Sequence, residues 1–356
     1  MKIDSLLDSE NIYRYKKLEI KNNFLSEFNK LNKHHLRRCN KFKLICENLW
    51  ESNINFKKLE ESPYLPVSLF KETEMRSVKK DEVRVTLTSS GTTGQKVSKV
   101  YLDSETSLIQ QRALAKSMKF MLGPKRLPML IIDTKAVFKD PKQMSARGAG
   151  VLGLMRYGTD HHFVLDNDLE FMQEEMEEFL EKYDGKPFFI FGFTYLVWLN
   201  FYKKISKKYD LSKAVLIHSG GWKKMIDQSV DNKVFRESFK QNLGLTKIFN
   251  FYGMVEQTGS LFLEGPGGLL YPPIFSEVII RDPLSWKPVK EGKEGIIQVI
   301  SLIPRSYPGH SLLTEDIGYL SYNPDKNSDW PEQGLVINGR IPKLEMRGCS
   351  DVIDSK

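Results

Sequence analysis

The run Thr86-Leu-Thr-Ser-Ser-Gly-Thr-Thr-Gly-Gln-Lys-Val-Ser-Lys99 constrains this chain more than any other stretch. An apolar segment with the spacing of a strand (Val83, Val85, Leu87) leads into seven consecutive residues drawn only from Thr, Ser and Gly. Gly91 and Gly94 let the backbone turn tightly and aim its N–H groups into one concavity. Ser89, Ser90, Thr92 and Thr93 add hydroxyl donors, and Lys96 and Lys99 add positive charge. A polyphosphate needs that combination: many short donors, no bulky Cβ in the way, and a cation at the rim. The spacing differs from G-x-x-x-x-G-K-[ST], which excludes an ordinary P-loop NTPase. A flexible Ser/Thr-rich turn is the plain alternative, and the β-branched strand directly before it weighs against that reading.

At 356 residues the chain is long enough for one large or two smaller cores. No apolar stretch approaches the ~20 residues of a membrane helix, and the acidic-polar N-terminus lacks a signal peptide's apolar centre. A cytoplasmic location is the expectation. The net charge of +8 is densest over residues 14–43 and comes with no nucleic-acid motif; it reads as a solvated basic face or, equally well, as attraction to anionic ligands or an acidic partner. Cys39, Cys46 and Cys349 make neither a disulfide framework nor a C-x-x-C pair, and Cys39 and Cys46 fall in a helical segment where burial is expected. The six histidines show no metal-binding spacing.

Residues 5–60 read as two or three helices without Gly or Pro, and residues 63–71 as an apolar extended stretch laid across the core. Helices are predicted over 103–122, 168–183, 195–209 and 226–243. Residues 145–153 read as a close-packed helix or a ligand loop. Strands are predicted over 128–133 and 187–194, a strand followed by glycines over 214–223, and a strand ending in a turn over 247–256. Strand, loop and helix in succession argue for α/β layers with ligand groups at the carboxyl strand ends. From Ile274 short strands take over, at 277–281, 295–300, 312–313 and 318–321. The expected architecture is a layered α/β fold: a helical segment (1–62), an α/β core (63–272) and a small β-rich subdomain (273–356).

Four further stretches sit at strand ends or turns. Gly220-Gly221, beside Ser219 and Trp222, offers bare backbone for a flat ring. Tyr252-Gly253-Met-Val-Glu256 sets an aromatic and a carboxylate on either side of a tight turn. Thr314-Glu-Asp-Ile-Gly318 offers carboxylates for a pair of sugar hydroxyls, and Asn338-Gly-Arg340 a guanidinium. Taken singly, each is equally well a plain turn, a core residue or a surface charge.

Their order resembles the adenylate-forming enzymes, the acyl-CoA synthetases and their relatives. That family has a T-S-G-T-T-G-x-x-K-like ATP-phosphate loop, an adenine-touching glycine pair, Y-G-x-T-E, a ribose-binding T-G-D aspartate and a G-R arginine. The matching residues here are Ser89–Lys99, Gly220-Gly221, Tyr252–Glu256, Thr314–Asp316 and Gly339-Arg340. Val255 replaces the usual Thr and Glu315 the usual Gly. The resemblance implies Glu256 as a Mg²⁺ ligand and Asp316 as the ribose acceptor. The stretches Leu65-Pro-Val-Ser-Leu-Phe-Lys71, Gly220-Gly-Trp-Lys223, Tyr271-Pro-Pro273, Ser306-Tyr-Pro308 and Asp316-Ile-Gly318 are similar to the LuxE-type acyl-protein synthetases, the ATP-dependent component of the bacterial luminescence fatty-acid reductase. In that family a cysteine in a G-C context near the C-terminus, like Gly348-Cys349, carries the acyl group as a thioester. The chain stops 16 residues after Arg340, so the expectation is a second half-reaction without the usual swinging C-terminal domain.

The implied reaction fits the residues. A carboxylate is a poor acyl donor; its attack on the α-phosphate of ATP gives an acyl-adenylate with AMP as a good leaving group. Lys96 or Lys99, the Ser/Thr/Gly loop and Mg²⁺ on Glu256 would neutralise the phosphates. Cys349 would then attack as a thiolate favoured by Arg347, Lys343 and Arg340. Onward transfer to a partner acyl reductase is what the family implies. Two alternatives stay open at this point: a ligase that releases an acyl-CoA, and a non-catalytic binding module that keeps the fold. Phe189, Phe191, Phe193, Trp222 and Phe251 would line an acyl pocket or fill the core.

Overall fold

The computed structural model describes residues 3–15, 17–50, 56–89, 96–138, 146–222 and 227–341. The N-terminal segment forms α1 (Ile3–Leu7), α2 (Lys17–Arg38) and α3 (Asn40–Leu49). The extended backbone of Cys39 (φ −116°, ψ 99°) separates the last two. The stretch after Pro63 is extended only at β1 (Leu65–Pro66) and then closes into a single turn, α4 (Leu69–Glu72).

The strand before the Thr/Ser/Gly run, β2 (Val85–Thr88), does not join the main sheet. It pairs antiparallel with β3 (Lys99–Leu102) in a two-stranded ribbon. Thr88 faces Lys99 in this ribbon, so the run connects its two strands, with residues 90–95 outside the described residues. Pairing extends past β2: Ser89 N–H donates to the Ser98 carbonyl (3.0 Å), and Ser98 N–H to Ser89 Oγ (2.9 Å).

Helix α5 (Ser104–Leu122) starts where Asp103 accepts from Thr106 N–H (2.8 Å) and stops at Gly123, whose φ of +83° no L side chain adopts readily. It leads to β4 (Leu127–Ile132), α6 (Ala146–Met155), β5 (Gly158–Phe163) and α7 (Gln173–Lys182). The helix predicted from residue 168 begins five residues later because Asp166 Oδ1 accepts from the N–H groups of Asp168 and Glu170 (2.9 Å each). That Asx turn competes with helix formation. After β6 (Phe188–Phe193), the helix predicted over 195–209 is only the short α8 (Thr194–Leu196), a π-turn at Val197–Phe201 and a 3₁₀ turn at Tyr202–Lys204. Next come β7 (Ala214–Ser219) and α9 (Asn232–Leu243), which starts at 232 because Asp231 caps Val234 N–H at 2.8 Å.

The chain continues through β8 (Lys247–Tyr252), β9 (Phe262–Glu264), β10 (Leu270–Tyr271), β11 (Ser276–Arg281), β12 (Gly295–Ser301), β13 (Ser311–Tyr322) and β14 (Gln333–Arg340). The separate strands predicted at 312–313 and 318–321 are one long strand, β13. The order β11-β12-β13-β14-β10-β9-β8-β7-β6-β4-β5 makes one sheet, with β1 added in parallel to β13. Strands β5, β4, β6, β7 and β8 are parallel, and from β8 to β11 the pairing is antiparallel. Strands on either side of residue 272 are thus hydrogen-bonded into one sheet; divisions near 62 and 272 are our proposal for how the chain is organised.

The inner parallel strands β4, β6 and β7 are apolar on both faces, as burial under helices demands, whereas the edge strand β5 is largely polar. Phe189, Phe191 and Ile217 pack toward α5 and the N-terminal segment, and Ile190, Leu216 and Phe188 toward α7 and α9. A third cluster joins α3, β1, α4 and the antiparallel strands. Cys39 and Cys46 are buried there as expected, and burial pushes the Cys46 thiol up to about 12.

Candidate functional site: a carboxylate bulge beside two strand ends

Strand β13 is irregular where the Thr-Glu-Asp motif lies. Gln298 of β12 faces Leu313 and Ile296 faces Ile317, so Thr314, Glu315 and Asp316 share the single position opposite Ile297. Thr314 Oγ1 fixes this bulge by donating to the Ile297 carbonyl (2.8 Å) and accepting from Asp316 N–H (3.1 Å). Bulges re-aim side chains, and this one brings Asp316 within reach of two others. Tyr252 at the carboxyl end of β8 donates its hydroxyl to Asp316 Oδ2 at 2.7 Å. Arg340, opposite Asp316 on β14, donates from Nε to Oδ1 at 3.1 Å. Burial, and then the charge of Asp316, pushes the Tyr252 phenol well above its ordinary pKa, so it stays a donor throughout the neutral range. Three residues singled out in the sequence are thus one hydrogen-bonded unit.

The glycine pair follows the neighbouring parallel strand. Ser219 Oγ donates to the Phe251 carbonyl (3.1 Å), which ties the end of β7 to the end of β8. Gly220 then takes φ +82°, and a Cβ there would stand 3.3 Å from the Phe193 ring at the end of β6. Gly221 has open space around it. Gly253 is equally confined: a Cβ would meet Leu261 Cδ2 at 2.9 Å. Strand ends β6, β7 and β8 therefore present bare backbone at the edge where α/β sheets bind ligands.

Glu256 lies in a 3₁₀ turn, Val255–Gln257, and is 5% exposed. Its carbonyl accepts from Tyr307 Oη (2.9 Å), which itself accepts from Gln110 Nε2 of α5 (3.3 Å). Gln257 Nε2 donates to the carbonyls of Gly309 (2.8 Å) and Val299 (3.2 Å). The turn is pinned on three sides, and β3 of the hairpin packs against it. Among the described residues no group of three or more His, Cys, Asp or Glu could hold a metal ion. One carboxylate fits Mg²⁺ nonetheless, because that ion keeps several waters and completes its shell with phosphate oxygens.

Lys96 is exposed and paired with Glu72 of α4, and Lys99 is exposed at the start of β3. Ser89 stands at the base of the tip. Ser90, Gly91, Thr92, Thr93 and Gly94 lie outside the described residues, as does Cys349. Of the five aromatic residues proposed for a pocket, Phe189 and Phe191 are fully packed core, whereas Phe193, Trp222 and Phe251 are half-buried at strand ends.

A family model described as "Acyl-protein synthetase, LuxE" matches residues 3–356. The chain belongs to the LuxE family. Long-chain-fatty-acid–luciferin-component ligases of Vibrio harveyi (24% identical over 334 residues, 89% of this chain and 83% of that one) and Aliivibrio fischeri (25% over 333 residues, 89% and 84%) are relatives. An open conformation of 2-hydroxyisobutyryl-CoA ligase with 2-HIB-AMP and CoA has the same fold, with a TM-score of 0.65 at 16% identity over 94% of this chain and 78% of the ligase. The postadenylation state of that ligase gives 0.63 over 94% and 71%. The expected adenylate-forming α/β fold is therefore correct, and membership makes this LuxE-family protein an acid-activating ligase. No helix among its described residues is long and apolar enough to cross a membrane.

The structure of this LuxE-family chain also brings forward residues the motifs did not mark. Lys71 Nζ lies 3.5 Å from Glu315 Oε1, and Tyr307 grips the Glu256 turn. Both lie in stretches quoted for the resemblance, Leu65–Lys71 and Ser306–Pro308. No local pattern pairs them with partners 244 and 51 residues away.

Proposed function

We propose that this protein activates a long-chain fatty acid with ATP and captures the acyl group on its own Cys349 for delivery to a partner acyl reductase. The observation that carries the nucleotide half is the Tyr252–Asp316–Arg340 unit: a carboxylate held by two donors beside a bare-backbone strand end. A ribose offers two adjacent hydroxyls, and a carboxylate pre-oriented by a phenol and a guanidinium accepts from such a pair. Gly220-Gly221 would receive the adenine face, and the hairpin tip from Ser89 to Gly94, with Lys96 or Lys99, the phosphates. Glu256 would hold Mg²⁺, which supplies charge neutralisation on the phosphate oxygens.

The substrate carboxylate attacks the α-phosphorus; the bond to pyrophosphate breaks and the acyl group becomes a mixed anhydride with AMP. The Cys349 thiolate then attacks the acyl carbon, AMP leaves with the electron pair, and a thioester forms. Arg347 and Lys343 near Cys349 in sequence favour the thiolate. The relatives' printed activity, long-chain-fatty-acid ligation to a luciferin component, supports the choice of acid.

The test is incubation with ATP, Mg²⁺ and a radiolabelled long-chain fatty acid. Hydroxylamine-labile label on the protein is expected, lost in Cys349→Ser while fatty-acid-dependent pyrophosphate exchange persists. Acyl-CoA formation that survives Cys349→Ser would make the protein a CoA ligase instead. Absence of exchange with any acid would leave a binding module.

A further inference from the structure

The bulge on β13 places two carboxylates side by side, and only Asp316 has a role in the reading above. Glu315 is half-buried next to it, and the Ile341 N–H donates to the Glu315 carbonyl at 2.9 Å, so Glu315 is tied to the same end of β14 that carries Arg340. The charge of Glu315 acts on Arg340 along with that of Asp316. Two adjacent anions beside one guanidinium compete for it. If Glu315 took Arg340, Asp316 would lose one of its two donors and would also face an unscreened like charge.

Lys71 removes that competition. Its Nζ lies 3.5 Å from Glu315 Oε1, with both side chains about 30% exposed. The ammonium is not on a loose surface chain. Val67 N–H donates to the Leu313 carbonyl (2.9 Å), β1 pairs with β13 at Leu312 and Leu313, and Phe70 is buried edge-on to the Tyr307 ring, centroids 6.1 Å apart. The next residue along α4, Glu72, pairs with Lys96 at the foot of the hairpin. Isolated exposed ion pairs contribute little because water screens them and side-chain entropy opposes them. Here the backbone under the lysine is fixed to the very strand whose charge it balances.

We propose that Lys71 is a positioning residue for nucleotide recognition: it occupies Glu315 so that Arg340 stays on Asp316. This rests on the reading of Asp316 as the ribose acceptor. Lysine at 71 is then the counterpart of glutamate at 315, the position where the adenylate-forming resemblance has glycine and no such counter-charge is needed.

The experiment is ATP–pyrophosphate exchange at saturating fatty acid with Lys71→Met, Glu315→Gln and the double variant, each also assayed with 2′-deoxy-ATP. Lys71→Met is expected to raise KM for ATP about tenfold, equivalent to ~1.4 kcal/mol, with kcat and KM for the acid within about twofold. Its preference for ATP over 2′-deoxy-ATP is expected to shrink. Glu315→Gln alone stays within about threefold of wild type, and the double variant returns KM for ATP to that level. A merely structural lysine would not be rescued by removing the glutamate. An unchanged KM for ATP in Lys71→Met, or a double variant no better than the single, overturns the proposal. Should Lys71→Met fail to fold, Lys71→Arg is the second variant: wild-type KM for ATP and ribose discrimination support the proposal, and a tenfold rise there overturns it. Absence of exchange in the wild type would instead refute the nucleotide reading itself, so the two failures are distinguishable.

Discussion

Asp316 is 8% exposed, and each of its two oxygens accepts from a donor. A hydrogen bond to a charged group is worth about 1.5–3 kcal/mol, so Tyr252→Phe is expected to raise KM for ATP about tenfold or more in the exchange assay. Its thermal midpoint should fall by a few degrees, with the fold retained because the phenyl ring keeps its packing beside Phe262. At this scale the sequence was legible where a short motif marks a turn or a strand end: Gly220 follows the end of β7, and Tyr252, Asp316 and Arg340 are joined by hydrogen bonds. Lys71 was not legible, because its partner is supplied by tertiary structure. Lys96 shows the reverse case, a marked cation that the fold turns toward Glu72. A glutamine at 72 frees that ammonium; Glu72→Gln is therefore expected to lower KM for ATP by about twofold, the size of a weak exposed pair.

Among the elements, β13 carries the most consequence, since one strand bears the bulge, pairs with three neighbours and continues to Tyr322. Gly318, just past the bulge, has no room for a side chain: a Cβ would lie 2.1 Å from the Val336 carbonyl and 3.0 Å from Ile297 Cδ1. Gly318→Ala is expected to cost about 2–4 kcal/mol in urea denaturation and to weaken ATP binding with it, as β14 and Arg340 move. Helix interiors were readable from periodicity and their ends from caps, as at Asp103. Where prediction overran, at 168 and 226, the reason is a local competitor: Asp166 builds a turn and Asp231 sets a later start. The two predicted strands that proved to be one were separated on paper by Thr314-Glu-Asp-Ile, whose charges mark a bulge and not a turn.

At the scale of the whole molecule, three buried imidazoles set the response to acid. His35 and His310 stack with centroids 4.6 Å apart, and His218 lies under Phe235. Burial pulls His310 and His218 down to about 3 and His35 well below its ordinary value; neighbouring charges, His310 on His35, His34 on His310 and Arg236 on His218, act the same way. The unfolded chain therefore binds more protons than the folded one between about pH 6.5 and 3, so stability rises with pH across that window and is lost as pH falls through it. Unfolding free energies from urea titrations should be level from pH 8.5 to 7.5 and lower at pH 5.5 by about 1 kcal/mol for each histidine; a flat profile would mean these rings take up protons without unfolding.

The long reach of the N-terminal segment has a further consequence. Ile12 accepts from Ile274 N–H, Tyr13 donates to Leu261, His35 reaches Pro304, and β1 lies against Leu312 and Leu313. Almost 250 residues separate Leu65 from Leu312. At about 5–20 residues per second, a ribosome needs roughly 12–50 s to bring the second out after the first. For that interval the nascent helices have an apolar side with nothing to close on, and a chaperone has time to take hold of it.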